Sequence, residues 1–170
     1  AYNNMAFAQL RSGQPHQAAV QASRAVEVVA QLEREVDDKA LRMSLFAQQV
    51  SRYGILQAAL LETERAGPAL AVAEQSKARV LSGALSGDAE MPLAMPHNVE
   101  GAPESADPYR ASWEEVQRLA QQEGSGTRIV EYSFHARGLA VWVLSSAGEL
   151  LCSMALSAAG KGQELSLIHI

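Results

Sequence analysis

The chain has 170 residues, enough for one domain or two small ones, and 48% of them are apolar but only 5% aromatic. The net charge of −5 sits almost wholly in residues 87–126, which hold two basic and eight acidic residues. No basic stripe, membrane-length apolar run or leader-like start is present, so nucleic acid and membrane are not among the expected partners and no signal peptide is expected. A single cysteine, Cys152, excludes an internal disulfide and fits a reducing, cytoplasmic compartment. Residues 1–11 read as a helix, with Tyr2, Met5, Ala6, Gln9 and Leu10 near helical spacing. Ser12-Gly13-Gln14-Pro15 is a turn, and a second helix runs from His16 to Glu35 on a face of Ala18, Ala22, Ala25, Val29 and Leu32. Asp37 and Asp38 are placed to cap a third helix, Lys39 to Arg65, lined by Leu41, Leu45, Val50, Tyr53, Leu56, Leu60 and Leu61. Gly54 weakens its middle.

Ala66-Gly67-Pro68 reads as a second sharp turn, before a fourth helix from Pro68 to Leu85 that buries Leu70, Ala73, the Lys77 stem, Leu81 and Leu85. Four residues then repeat at an offset of 53: Ala6, Pro15, Ala18 and Ala25 recur as Ala59, Pro68, Ala71 and Ala78. Small residues around a Gly/Pro turn are what a close-packed helical hairpin needs, so the first half reads as stacked helix pairs. Such a stack is usually a binding surface. Residues 87–110 lose periodicity and contain prolines, glycines and acidic residues, the composition of a linker. Ser112-Trp113-Glu114-Glu115 reads as a capping box opening a helix to Gln122, with Trp113, Val116, Leu119 and Ala120 facing a core. From Thr127 the period becomes two. Arg128 to Phe134, Leu139 to Leu144 and Glu149 to Leu156 are predicted strands joined by Gly-containing turns, an antiparallel meander. One helix and three strands bury little surface, so the sheet wants more chain than this.

Both ends read as cut. The chain opens at Ala1-Tyr2-Asn3-Asn4 already inside a helical pattern. The last six residues, Leu165-Ser166-Leu167-Ile168-His169-Ile170, read as translated sequencing-adaptor DNA, with a short apolar strand as the alternative.

Asn4-Met5-Ala6, Gly13, Ala18 and Ala25 resemble a tetratricopeptide repeat (TPR), although the offset of 53 exceeds that family's period of about 34 residues. The stretch Ala69-Leu70-Ala71-Val72-Ala73-Glu74-Gln75-Ser76-Lys77-Ala78-Arg79-Val80-Leu81 looks like the last helix before a CHAT domain. Thr127-Arg128-Ile129-Val130-Glu131-Tyr132-Ser133-Phe134, followed by Gly138-Leu139-Ala140-Val141-Trp142-Val143-Leu144, looks like that domain's first hairpin. The resemblance implies an α+β chain. Its antiparallel helical hairpins, a TPR-like solenoid, cover 1–86 and an acidic Pro/Gly-rich linker covers 87–110. One helix and an antiparallel three-stranded β-meander over 111–164 open an incomplete CHAT domain, with 165–170 adaptor-derived. CHAT domains are caspase-like, and active members are cysteine peptidases with a His–Cys dyad. None of His16, His97, His135, His169 or Cys152 sits in the family's His-Gly or small-residue-Cys context, so the dyad is expected beyond residue 170 and no catalytic residue is assigned here.

The partner-binding candidates are Asn4 and Arg11, on the helix face that lines the groove in that repeat family. An Asn amide can hold a peptide backbone, and an Arg can pair with an acidic side chain. The expected partner is a protein or peptide. The alternatives are a small thiol hydrolase using Cys152 with His135 as its base, and a structural helical scaffold. The four histidines lack metal-like spacing, and Gly124-Ser125-Gly126 lacks the Lys-Ser/Thr of a phosphate loop, so neither metal nor cofactor is expected. Glu74 and Lys77 read as surface charge pairing, and Trp113 and Trp142 as core anchors joining the capped helix to the sheet.

Overall fold

The computed structural model describes residues 1–35, 39–85, 110–122, 124–157 and 166–168. Four helices come first: α1 (Tyr2–Arg11), α2 (Pro15–Glu35), α3 (Lys39–Glu62) and α4 (Ala66–Leu85). Each packs on the next, and α1 also reaches α3. The linker and the Asp37–Asp38 cap fall outside the described residues, as do the side chains of Leu41, Leu45, Val50, Leu81, Leu85 and Ser112.

The two helix-to-helix turns are built alike. After α1, the Gly13 N–H donates to Leu10 O at 3.2 Å and the Gln14 N–H to Gln9 O at 2.9 Å. After α3, the Glu64 N–H donates to Leu61 O at 3.1 Å and the Arg65 N–H to Leu60 O at 2.9 Å. This is the Schellman pattern, which needs a left-handed residue just past the helix. Gly13 supplies it at φ 72°, and Glu64 supplies it at φ 59°. The Ser12 and Thr63 hydroxyls both bond back to the carbonyl four residues earlier, Ala8 O at 2.8 Å and Ala59 O at 3.1 Å. The structural repeat therefore runs Ser12/Thr63, Gly13/Glu64, Ala18/Ala69 and Ala22/Ala73, an offset of 51 and not 53. All four of those alanines are buried.

That register corrects the second turn. It lies at Thr63–Arg65, and α4 has already begun at Ala66. Gly67 is inside the helix, where it gives room to an indole: a Cβ there would stand 2.9 Å from Cε2 of Trp113. Trp113 lies on α5 (Arg110–Gln122), which presents Trp113, Val116 and Ala120 to the core. The expected capping box does not open the helix. The helix starts at Arg110, so Ser112 is interior, and Glu115 accepts from Arg118 Nε at 2.8 Å. Leu119 and, on α2, Leu32 are exposed and not buried as expected.

The three expected strands are β1 (Arg128–His135), β2 (Gly138–Ser145) and β3 (Leu150–Ser157). They pair antiparallel in that order, and a short β4 (Ser166–Ile168), within the segment read as adaptor-derived, pairs with β3. The chain is thus an α+β protein, with one more strand among the described residues than expected.

Sheet and helices share one core. Trp142 of β2 is fully buried and its Nε1–H donates to Ala66 O at 3.0 Å. The two tryptophans therefore clasp the first two residues of α4, one by hydrogen bond and one by ring contact. The Gln117 and Gln121 amides of α5 donate to Gly148 O and Ala147 O in the β2–β3 turn, each at 3.0 Å. Lys77 of α4 pairs with Glu74 at 2.8 Å and also with Glu131 of β1. Burial pulls the Lys77 ammonium down, but the two carboxylates outweigh it and its pKa lies above the ordinary lysine value.

Candidate functional site

A cleft of about 460 Å³ opens where α1, α3 and the β1–β2 turn meet. Its α1 wall is Asn3, Asn4 and Phe7, its α3 wall includes Ser51 and Gly54, and its third wall is Phe134, His135 and Ala136 of the hairpin. The volume is in the range of ligand sites, roughly 300–1,000 Å³.

The hairpin is held in place by its own turn. The Ala136 N–H donates to Gly54 O at 3.1 Å. A Cβ at residue 54 would stand 3.4 Å from Ala136 N and 3.6 Å from His135 Cα, so the strand turn lies in van der Waals contact with the α3 backbone at this glycine. Arg137 extends across both helix ends, donating to Glu62 Oε1 of α3 at 2.6 Å and reaching Leu10 O of α1 at 3.5 Å.

His135 is the hairpin's titratable group. Burial holds its imidazole neutral and pushes the pKa down to about 4; the Leu139 backbone opposes that shift and the Arg137 charge adds to it. Nδ1 accepts from the Arg137 N–H at 3.3 Å, which leaves the ring hydrogen on Nε2. Nε2 and, on α1, Asn3 Oδ1 are buried and have no hydrogen-bond partner among the described residues. Each such group costs about 1–3 kcal/mol.

Both sequence-predicted residues lie on this side of α1. Asn4 is exposed and lines the cleft. Arg11 is one turn beyond Phe7, its guanidinium carbon 5.9 Å from that ring's centroid, and it has no carboxylate partner among the described residues. Sequence reasoning missed the hairpin wall. Its only local trace was a glycine in the middle of a helix.

The alternative pair is not brought together. His135 is registered with Gly138, and Gly138 with Ser157, at one end of the sheet. Cys152 pairs with Val143, five residues back along β3, which is about 17 Å at a strand's rise. It also lies on the opposite face of the sheet from His135. The imidazole is not poised to take the thiol's proton. Glu74 and Lys77 form the expected surface pair, with Glu131 as an added partner. His97 and His169 fall outside the described residues, among which no cluster of three or more potential ligands could hold a metal ion. No helix among them is long and apolar enough to cross a membrane.

Comparison of the chain with protein-family models, with curated proteins and with solved structures finds no match.

Proposed function

We propose that this chain is a protein-interaction module, a TPR-like helical stack joined to the opening strands of a CHAT-like domain. The α1 face holds a peptide segment of a partner protein. Asn4 bonds to the peptide backbone and Arg11 to an acidic side chain. The observation that carries the reading is the cleft itself: Asn4 lines it, and Arg11 lies over the ring of Phe7, which also lines it, with no carboxylate partner among the described residues. The stacked hairpins with buried small residues at each contact support the helical half. The antiparallel pairing of Glu131 with Trp142 and Tyr132 with Val141 supports the expected hairpin of the second half. The reading assigns no catalytic residue to this chain and gives it a cytoplasmic location.

The test is a panel of fluorescent peptides from candidate partners, titrated against the wild-type chain and the Asn4→Ala/Arg11→Ala double variant. Both side chains are exposed, so the variant folds normally by circular dichroism. A peptide that binds the wild type loses at least tenfold in affinity on the variant, since two hydrogen-bonding contacts are removed, each worth about 1 kcal/mol. Undiminished binding by the variant refutes the assignment of these residues.

A further inference from the structure

The cleft has a wall that the helical stack does not supply. Phe134 and Ala136 come from the β1–β2 hairpin, and the Ala136–Gly54 hydrogen bond fixes that hairpin against α3. Two phenylalanines line one opening and are left largely to water, Phe7 at 42% and Phe134 at 78% exposure. Aromatic side chains, phenylalanine among them, are enriched at interfaces relative to the rest of a protein surface.

Among the described residues no charged side chain lines the cleft; Arg11 lies over the ring of Phe7, part of one wall, and Arg137 belongs to the hairpin that forms another. Arg137 is already neutralised by Glu62, whereas Arg11, stacked on Phe7, has no such partner among the described residues. An occupant with a carboxylate is therefore favoured over one with an ammonium. Polar groups at Asn4 and Ser51 suit a main chain running between the aromatic contacts.

We propose that the β1–β2 hairpin is part of the recognition surface, and that the cleft takes an extended peptide whose apolar side chain packs against Phe7 and Phe134 and whose adjacent carboxylate meets Arg11. This deepens the reading above and rests on it: the helical face supplies polar contacts, and the hairpin supplies the apolar contact that selects the sequence.

The experiment uses the full chain and two fluorescent octapeptide mixtures, identical except that a fixed Leu or Phe is followed by Glu in one and by Lys in the other. Binding is read by fluorescence polarisation for wild type, Phe134→Ala and Tyr132→Ala. Tyr132 is the control, because it is 64% exposed on the same strand and does not line the cleft. The Glu mixture binds roughly tenfold or more tighter than the Lys mixture, Phe134→Ala loses a similar factor, and Tyr132→Ala keeps wild-type affinity. Equal loss in both variants overturns the inference, because the contact is then the open sheet face. A preference for the Lys mixture, or no binding of either mixture, also overturns it. If binding survives Phe134→Ala but is lost in Asn4→Ala/Arg11→Ala, the hairpin is not part of the site while the helical reading stands.

Discussion

Trp142→Phe tests whether the helices and the sheet are one cooperative body. Trp142 has no exposed surface, and its indole N–H is bonded to Ala66 O at 3.0 Å. Phenylalanine removes that bond, a net loss of about 1 kcal/mol. Ala66 O is at the head of α4 and keeps its helical donor, so the carbonyl is not orphaned and the loss stays near that figure. Removing the second ring forfeits about 40 Å² of buried apolar area, worth about 1 kcal/mol. It also leaves about 40 Å³ unfilled, which at ~24 cal/mol per Å³ is about 1 kcal/mol more. The total is about 3 kcal/mol. The chain has two tryptophans, so the variant leaves Trp113 as the sole indole, reporting from α5. Urea unfolding followed by Trp113 fluorescence and by far-UV circular dichroism should show both midpoints falling together by about 1.5 M, for a slope near 2 kcal/mol/M. A helical transition that stays at the wild-type midpoint while the fluorescence transition moves would show two independent parts, and the shared-core argument would be wrong.

Two further outcomes follow from single residues. A Cβ at Gly13 meets nothing within 4 Å, so Gly13→Ala senses only the positive φ and lowers stability by about 1 kcal/mol, whereas Glu64→Gly raises it by about 0.5–1 kcal/mol after the unfolded-chain entropy of glycine is set against the relieved strain. Thermal melts of both variants check this, and a destabilised Glu64→Gly would refute the shared turn geometry. His135 titrates near 4 when folded and near 6.5 when unfolded, so between these values the unfolded chain binds more protons. Its contribution is complete above pH 6.5 and is lost as pH falls towards 4. It amounts to about 1–2 kcal/mol once screening of the partly exposed ring is allowed for. The stability difference between wild type and His135→Gln, measured across that window, should carry this slope; a flat difference would place the imidazole in water.

α2 was legible because it runs long enough for its buried stripe, Ala18, Ala22, Ala25 and Val29, to repeat several times. The connection between helices was less so. Identical residues suggested an offset of 53, but the turn chemistry is carried by unlike pairs: Ser12 with Thr63, and Gly13 with Glu64. A glutamate in the left-handed region looks like an ordinary helix residue in sequence, so the second turn was placed on Gly67 and Pro68 instead. Ser112 and Glu115 have capping-box spacing, but the helix extends upstream of them and Glu115 finds Arg118 one turn on. On the cleft side of α1, Asn4 lines the cleft and Arg11 lies over Phe7, and both were singled out because they share the face of one short helix. Gly54 and Ala136 are far apart in the chain, and no local period encodes their contact.

Alternation in β1 shows which residues share a face but not which face meets the helices. Glu131, Ser133 and His135 turn inward, and Val130, Tyr132 and Phe134 turn out. The choice is made by β2, where fully buried Trp142 pairs with Glu131 and so fixes the inward set. Inward polarity is tolerable because α3 and α4 supply partners: Ser133 donates to Gln57 Oε1 at 3.1 Å, and Glu131 meets Lys77. Charge turned inward on an edge strand also discourages pairing with a second sheet. The same register leaves β1 with an apolar outer row. That row ends at Phe134, the residue that also lines the cleft, so Phe134 stands where two surfaces meet. Loss of binding on changing Phe134 alone would fit either surface. Tyr132, two residues back in the same row but outside the cleft, is what separates them.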